Sequence, residues 1–422
     1  MPGKKIAILS SVYLKPSLVI FCLLCCFSAA MQAQDVLVHD TAEANVKDVG
    51  DVLRQWFNKK PDTSKVKKSR NIAILPSLGY NPSFGFVIGA KASAIKQFGN
   101  ESNTDLSAFG IEALYTSKGI ITAQLRHNVF TPGNKFNFVG NWQLSKFLIT
   151  DYNLGTGNKD YRTNSDSAFL TRFSYLRLTE RVFRKIGKHL FAGLGVSINY
   201  RDHIDDEKLE TLTSTPHYRY SLRNGFSPKK YSANALLLAF EYNSREHPLR
   251  SYGGTYADFN FAFSQEWLGS TKNAVQFLYD IRKYISLSTK NPEHVLAFWH
   301  MASFKIDGDI PYLALQATGY DLYNRSGRGY TIGRFKGPMF AYFESEYRFP
   351  ITRNKLISGV AFINLQTASD DLDKKLFQYI EPAAGGGLRI LLQKNSRSTL
   401  CIDYAKGKYG SGGFFFGLNE VF

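Results

Sequence analysis

From Asn71 to the end of the chain, apolar and polar positions alternate with a period of two, interrupted at intervals by short polar stretches. In 84–95 the even positions Phe84, Phe86, Ile88, Ala90, Ala92 and Ala94 are apolar. In 120–130 Ile121, Ala123, Leu125 and Val129 oppose Thr122, Gln124, Arg126 and Asn128. In 190–201 Leu190, Ala192, Leu194, Val196, Ile198 and Tyr200 oppose Gly193, Gly195, Ser197, Asn199 and Arg201. Ala257, Phe259, Phe261 and Phe263 oppose Asp258 and Asn260. Side chains in a strand point alternately to opposite faces, so each segment predicts a strand with one greasy and one polar side. A soluble sandwich alternates too, and no single segment decides between them.

The number of segments is more informative. Strands are predicted near 72–80, 84–97, 104–118, 119–131, 134–150, 168–183, 188–202, 230–245, 254–267, 271–289, 292–307, 338–350, 355–368, 379–394, 397–408 and 411–422. That is sixteen, an even number, with long connections at 203–229 and 308–337. Transmembrane strands need about 9–11 residues each, joined by alternately short and long connections. Aromatic residues make up 14% of the chain, its 34 glycines are spread along it, and after Ala33 no apolar run reaches the length of a spanning helix. The expected fold class is all-β, a 16-stranded antiparallel transmembrane β-barrel with a short N-terminal amphipathic helix.

The first residues set the compartment. Lys4, Lys5 and Lys15 precede an apolar run from Leu18 to Phe27, then small residues and Met31-Gln32-Ala33, which predicts a signal peptide over 1–33 with cleavage after Ala33, or alternatively after Ala30. Anchoring as a lipoprotein through Cys25 or Cys26 is the rival, but neither follows a small residue. Beyond the signal only Cys401 remains, so no internal disulfide can form, and the net charge falls from +17 to +14. For an exported chain, excess base fits phosphate-rich lipid better than nucleic acid.

Residues 34–70 break the pattern. Val49, Val52, Leu53, Trp56 and Phe57 recur at helical spacing, with Asp48 and Asp51 at the front, where the helix dipole favours acids. A basic run follows: Lys59, Lys60, Lys65, Lys67, Lys68 and Arg70. This periplasmic helix and linker reads as a plug inside the barrel, as an anchor on the periplasmic leaflet, or as a plain tether.

The strongest local pattern is Gly327-Arg328-Gly329-Tyr330, with Gly333 and Gly337 in the same basic loop. It runs into a strand with Met339, Ala341, Phe343, Ser345, Tyr347 and Phe349 on one face and Tyr342, Glu344, Glu346 and Arg348 on the other. If the loop folds back, Arg328 needs a carboxylate, because an unpaired charge in a confined site is expensive. At the far end Phe414, Phe416, Leu418 and Phe422 share a predicted outer face, with rings at a membrane interface.

Several segments together resemble a family. Gly327-Arg328-Gly329-Tyr330 resembles the Arg-Gly-Phe/Tyr motif of the sixth loop in BamA/TamA-type outer-membrane barrels, the bacterial surface antigen family. Pro76-Ser77-Leu78-Gly79-Tyr80-Asn81-Pro82, Ser244-Arg245-Glu246-His247-Pro248-Leu249-Arg250, Glu346-Tyr347-Arg348-Phe349-Pro350 and Gly385-Gly386-Gly387-Leu388-Arg389 resemble further segments of those barrels, in the same order. The resemblance implies a latch: Arg328, with Gly329 and Tyr330, tucked into the lumen against acids on the following strands. Where the family usually keeps an acid, this chain reads Phe362-Ile363-Asn364, so Glu346 is the expected ionic partner, with Glu344 and Asn364 beside it. The C-terminal Phe414, Phe416, Leu418 and Phe422 correspond to the assembly signal of bacterial barrels. Residues 34–70 are too short for a POTRA domain, so a member without POTRA domains is expected.

The implied function is protein or lipid insertion or transport across the outer membrane, not catalysis. An anchor for a separate periplasmic enzyme or assembly factor and a passive diffusion channel stand as alternatives. Expected partners are outer-membrane lipid and lipopolysaccharide, the barrel-assembly machinery during its own insertion, and a periplasmic protein; nucleic acid is not among them. No cofactor or metal is expected. The acids Asp202, Asp205, Asp206, Glu207 and Glu210 lack the spacing of a calcium loop.

Overall fold

The computed structural model describes residues 46–57, 72–81, 85–100, 102–158, 169–210, 215–322 and 324–422. The predicted signal peptide and the basic run 59–70 lie outside them. The described residues form sixteen long strands: β1 (Ile72–Asn81), β2 (Gly85–Lys96), β3 (Ser107–Thr116), β4 (Ile121–Phe130), β5 (Phe136–Asp151), β6 (Phe169–Gly187), β7 (Leu190–Asp206), β8 (Ala235–Asn243), β9 (Gly254–Ser264), β10 (Ala274–Ser286), β11 (Val295–Gly308), β12 (Met339–Pro350), β13 (Ile357–Ala368), β14 (Glu381–Gln393), β15 (Ser398–Gly407) and β16 (Gly412–Leu418). Each pairs antiparallel with the next in sequence, from β1 with β2 to β15 with β16. The first and last strands lie side by side, closing the wall into a barrel. Among the described residues no ladder register joins β1 to β16, so this seam differs from every other strand boundary. Among the described residues two α-helices accompany the strands, α1 (Val49–Trp56) and α2 (Pro216–Arg223). Neither is long and apolar enough to cross a membrane.

Alternation sorts the side chains as expected. Phe86, Ile88, Ile121, Leu194, Phe414 and Phe416 are exposed on the outer wall, whereas Thr122, Gln124, Asn141, Asp258, Glu344, Glu346 and Arg348 are buried within. Lipid offers no hydrogen bonds, so the wall satisfies its own backbone through the ladders and turns mostly apolar side chains outward.

The sequence reading misses in degree rather than in kind. The strands β6 and β7 run farther than predicted, to Gly187 and Asp206. The last strand stops earlier, at Leu418. There Asn419 takes a left-handed conformation, φ 69°, and the remaining residues leave the wall. The acids at 202–210 are also not a free cluster: Asp206 is buried and accepts hydrogen bonds from Thr171 and Thr215, at 2.9 and 2.7 Å.

The end of the barrel where β1 begins and β16 stops has its turns at 97–106, 131–135, 188–189, 244–253, 287–294, 351–356 and 394–397. The opposite end carries the long connections at 152–168, 207–230 and 309–338. In outer-membrane barrels short turns face the periplasm and long loops the exterior.

Candidate functional site

Loop 309–338 does not stand out from the wall; it descends into the barrel. Gln316–Ala317 pairs antiparallel with Lys336–Gly337, giving the loop a two-stranded stem. Below the stem, Thr318 donates to the Gln366 side chain of β13 at 2.7 Å. At the tip Gly327 (φ 78°) and Gly329 (φ 98°) hold backbone conformations that L side chains resist. A Cβ on Gly329 would stand 2.8 Å from the Ala383 Cβ of β14, so space and conformation both demand glycine.

Between them Arg328 is only 2% exposed. Its Nη2 donates to Glu344 and, at 2.5 Å, to Glu346, both on β12. Its Nη1 donates to Asp403 of β15 at 2.7 Å. The guanidinium plane lies over Phe362 of β13, 3.4 Å from the ring centroid. One side chain thus touches three strands. Asn364 contributes differently from the expected contact: its Nδ2 donates to the Arg328 backbone oxygen at 2.9 Å, not to the guanidinium.

Glu346 is the ionic partner expected from the sequence, but it shares that role. Asp403 was missed, although its position is legible. In β15 Cys401, Asp403 and Ala405 turn inward while Ile402 and Tyr404 face out, so an acid between apolar outward neighbours marks a lumen carboxylate. The network extends through Arg389 of β14, which donates to Asp403 at 2.5 Å and Glu420 at 2.6 Å. Arg348 donates to Glu346 at 2.7 Å. Arg250 approaches Glu420 to 3.3 Å. Four arginines therefore face the four carboxylates Glu344, Glu346, Asp403 and Glu420, and the buried cluster is formally neutral. Buried ion pairs gain little net stability against their desolvation, but removing one partner strands the others.

Tyr330, the last latch residue, donates to Pro382 O at 2.6 Å and accepts from Lys408 N at 3.1 Å. It bridges the loop ends of β14 and β15, and packs edge-on against Phe335 at 4.8 Å.

The C-terminal residues divide. Phe414 and Phe416 lie on the outer wall, as expected, more than half exposed. Phe422 does not share their face. Beyond Asn419 the chain turns into the lumen, and the Phe422 ring is buried 5.3 Å from Trp299. Arg348 Nη2 donates to its backbone oxygen at 2.7 Å. Leu418 is likewise buried at the point of departure. The physical cause lies in the latch loop: Arg325 Nη1 donates to the carbonyls of Asn419 and Glu420 at 2.7 and 2.6 Å, and its Nη2 reaches Leu418 O. Across the lumen, Arg126 of β4 donates to Leu322 O of the same loop at 3.0 Å. The loop therefore holds wall on both sides of the seam. Nothing in the sequence marks Arg325 for this.

A sequence model of the Omp85 superfamily domain matches residues 120–422, from the loop before β4 to the end of the chain. The chain belongs to the Omp85 superfamily. Like other Omp85 barrels, it resides in the bacterial outer membrane. No curated protein matches it in sequence. In structure it is similar to BamA from Haemophilus ducreyi lacking POTRA domains 1-3, at 13% identity and TM-score 0.53, covering 84% of this chain and 73% of that one. It is also similar to CdiB from Escherichia coli, at 9% identity and TM-score 0.52, covering 82% of this chain and 61% of that one. At these identities the likeness is one of fold. The Omp85 assignment gives the latch its context: Arg328, Gly329 and Tyr330 occupy the loop before β12 and meet the strands that follow it.

The helix α1, which carries Val49, Val52, Leu53 and Trp56 with Phe57 after it, is joined through Lys47 and Asp48 to the 351–356 and 394–397 turns. Among the described residues no group of His, Cys, Asp and Glu side chains is arranged to hold a metal ion.

Proposed function

We propose that this Omp85 barrel inserts or transports protein or lipid at the outer membrane, with loop 309–338 as an internal brace set by Arg328. The supporting observation is that Arg328 joins carboxylates of β12 and β15 while Arg325, three residues earlier in the same loop, grips the end of β16. A ladder would ordinarily fix strand positions, but among the described residues none joins β1 to β16, and loop contacts on both sides substitute for it. Substrate would use the lumen or that seam, where separation breaks fewer backbone hydrogen bonds than at any other boundary.

Arg328→Ala tests the brace. The expected result is a heat-modifiable barrel that unfolds at lower temperature, a loop 309–338 open to protease, and weakened transport or insertion. An unchanged unfolding temperature and unchanged loop protection would sink the proposal. A passive diffusion channel is the reading least favoured by this geometry, because the loop and the C-terminal residues occupy the lumen.

A further inference from the structure

The helix α1 is attached by its polar side. Asp48 caps it: its carboxylate accepts from Asp51 N at 2.9 Å, and the Asp51 carboxylate accepts from Asp48 N at 3.2 Å. The same two acids reach the barrel. Asp48 accepts from Lys394 N at 3.2 Å, and Lys394 Nζ is 3.1 Å from Asp51. On the neighbouring turn, Lys47 N donates to Asn354 O at 3.0 Å. The helix is therefore fixed to the two turns 351–356 and 394–397, at the rim of the end where β1 begins.

Successive residues of a helix are about 100° apart, so Asp51 lies nearly opposite the stripe of Val49, Val52, Leu53 and Trp56. With Asp51 held to Lys394, that stripe is turned away from the turns. No helix residue is buried; Trp56 is 78% exposed, Phe57 71% and Leu53 45%. Three large apolar side chains on one short helix are thus left uncovered.

The barrel wall beside this rim shows what covers them. On the outer face of β12 Tyr347 and Phe349 stack at 5.5 Å just before the 351–356 turn, and Ile351 on the turn is itself exposed. Aromatic rings at a strand end mark the membrane interface. Basic side chains flank the helix, with Arg54, Arg353 and Lys394 reaching solvent. An apolar stripe beside an aromatic girdle, bordered by cations, matches the boundary between acyl chains and anionic headgroups.

We propose that α1 is a membrane-interface anchor: Leu53, Trp56 and Phe57 lie in the periplasmic leaflet beside the 351–356 turn, with Arg54, Arg353 and Lys394 at phospholipid phosphates. The chosen occupant is lipid rather than a protein groove. The anchor would hold the start of the chain against the membrane on the β12–β15 side, away from the lumen.

Nitroxide labels report the occupant. The full chain, with Cys22, Cys25 and Cys26 replaced by serine and one label at Trp56→Cys, Gln55→Cys or Ser345→Cys, is placed in nanodiscs of phosphatidylethanolamine and phosphatidylglycerol containing no other protein. Cys401 is buried and stays unlabelled. Heat-modifiability confirms that each variant is folded. The expected result is that position 56 is accessible to oxygen and shielded from a water-soluble nickel chelate, like outward-facing position 345, whereas position 55 is open to the chelate. Equal chelate access at 55 and 56 overturns the proposal and leaves the face to a protein partner. Trypsin gives a second measure that needs no label. Cleavage after Arg54 should be several-fold slower in vesicles of the same lipids than in detergent, and Leu53→Asp/Trp56→Asp should abolish the difference. Cleavage at equal rates for the wild-type chain also overturns it.

Discussion

Arg328 shows how one residue can organise several elements. Its guanidinium has donors enough for Glu344, Glu346 and Asp403 and a flat face for Phe362, a combination no other side chain offers. Arg328→Lys should therefore fail to restore the wild type: an ammonium keeps the charge but not the fork. Losing one partner of a buried pair costs about 3–5 kcal/mol, so Arg328→Ala and Asp403→Ala should each lower the unfolding temperature on a heat-modifiability gel. Tyr330→Phe makes a narrower test. It leaves Pro382 O and Lys408 N without their partner, at a cost of about 1–3 kcal/mol for a buried group. Differential scanning of the purified barrel should place it between wild type and Arg328→Ala.

At the scale of elements, the two peripheral segments respond to different conditions. Burial works against the charge of Asp51 in α1, but hydrogen bonds from Arg54 and Asp48 N, and the Lys394 ammonium, outweigh it and hold the carboxyl below the usual range. A depressed folded-state value means that its contribution is present above the ordinary carboxylate range and fades as pH falls through the lowered value. The α1 helix should stay docked at neutral and mildly acidic pH and detach only in strong acid. The mobility of a nitroxide at Gln55→Cys, followed down the pH scale, checks this; release near pH 6 would contradict it. High salt should loosen the same contact, because Lys394 is 43% exposed. The periplasmic-end turn 244–253 should be insensitive over the same range. Burial, and after it the neighbouring Arg397, Arg245 and Arg250, push His247 down to about 3, and its Nδ1 accepts from two backbone N–H groups. At the C-terminus, Phe422→Ala removes a ring packed on Trp299, and such core truncations cost about 3–5 kcal/mol.

For the whole molecule, the decisive property is that the lumen is occupied. Loop 309–338 spans from β12–β15 to Arg126 of β4, and the end of the chain fills the space below it. Purified wild-type protein should show little steady conductance in planar bilayers, and deletion of residues 312–335 should raise it several-fold. A large, stable conductance in the wild type would instead favour the diffusion channel. The barrel itself was legible because a period-two pattern is a property of each strand alone: lipid outside and a polar lumen inside require it of every one. Glu344, Glu346 and Arg348 could be assigned to the lumen for the same reason, being consecutive inward positions of one strand. Asp403 was legible in the same way but had no sequence link to Arg328.

The sequence alone determined the sixteen strands, most of their inward and outward faces and the polarity of α1, because each depends on residues close together in the chain. Only the tertiary structure decided who meets whom. Arg328 is shared among three acids because closing the barrel brings β12 and β15 around one point. Phe422 turns inward although its spacing matches Phe414 and Phe416, because Arg325 and Arg348, distant in sequence, satisfy the last backbone oxygens inside the lumen. An alternation pattern assumes that the strand continues. Whether it does depends on partners that only folding brings within reach.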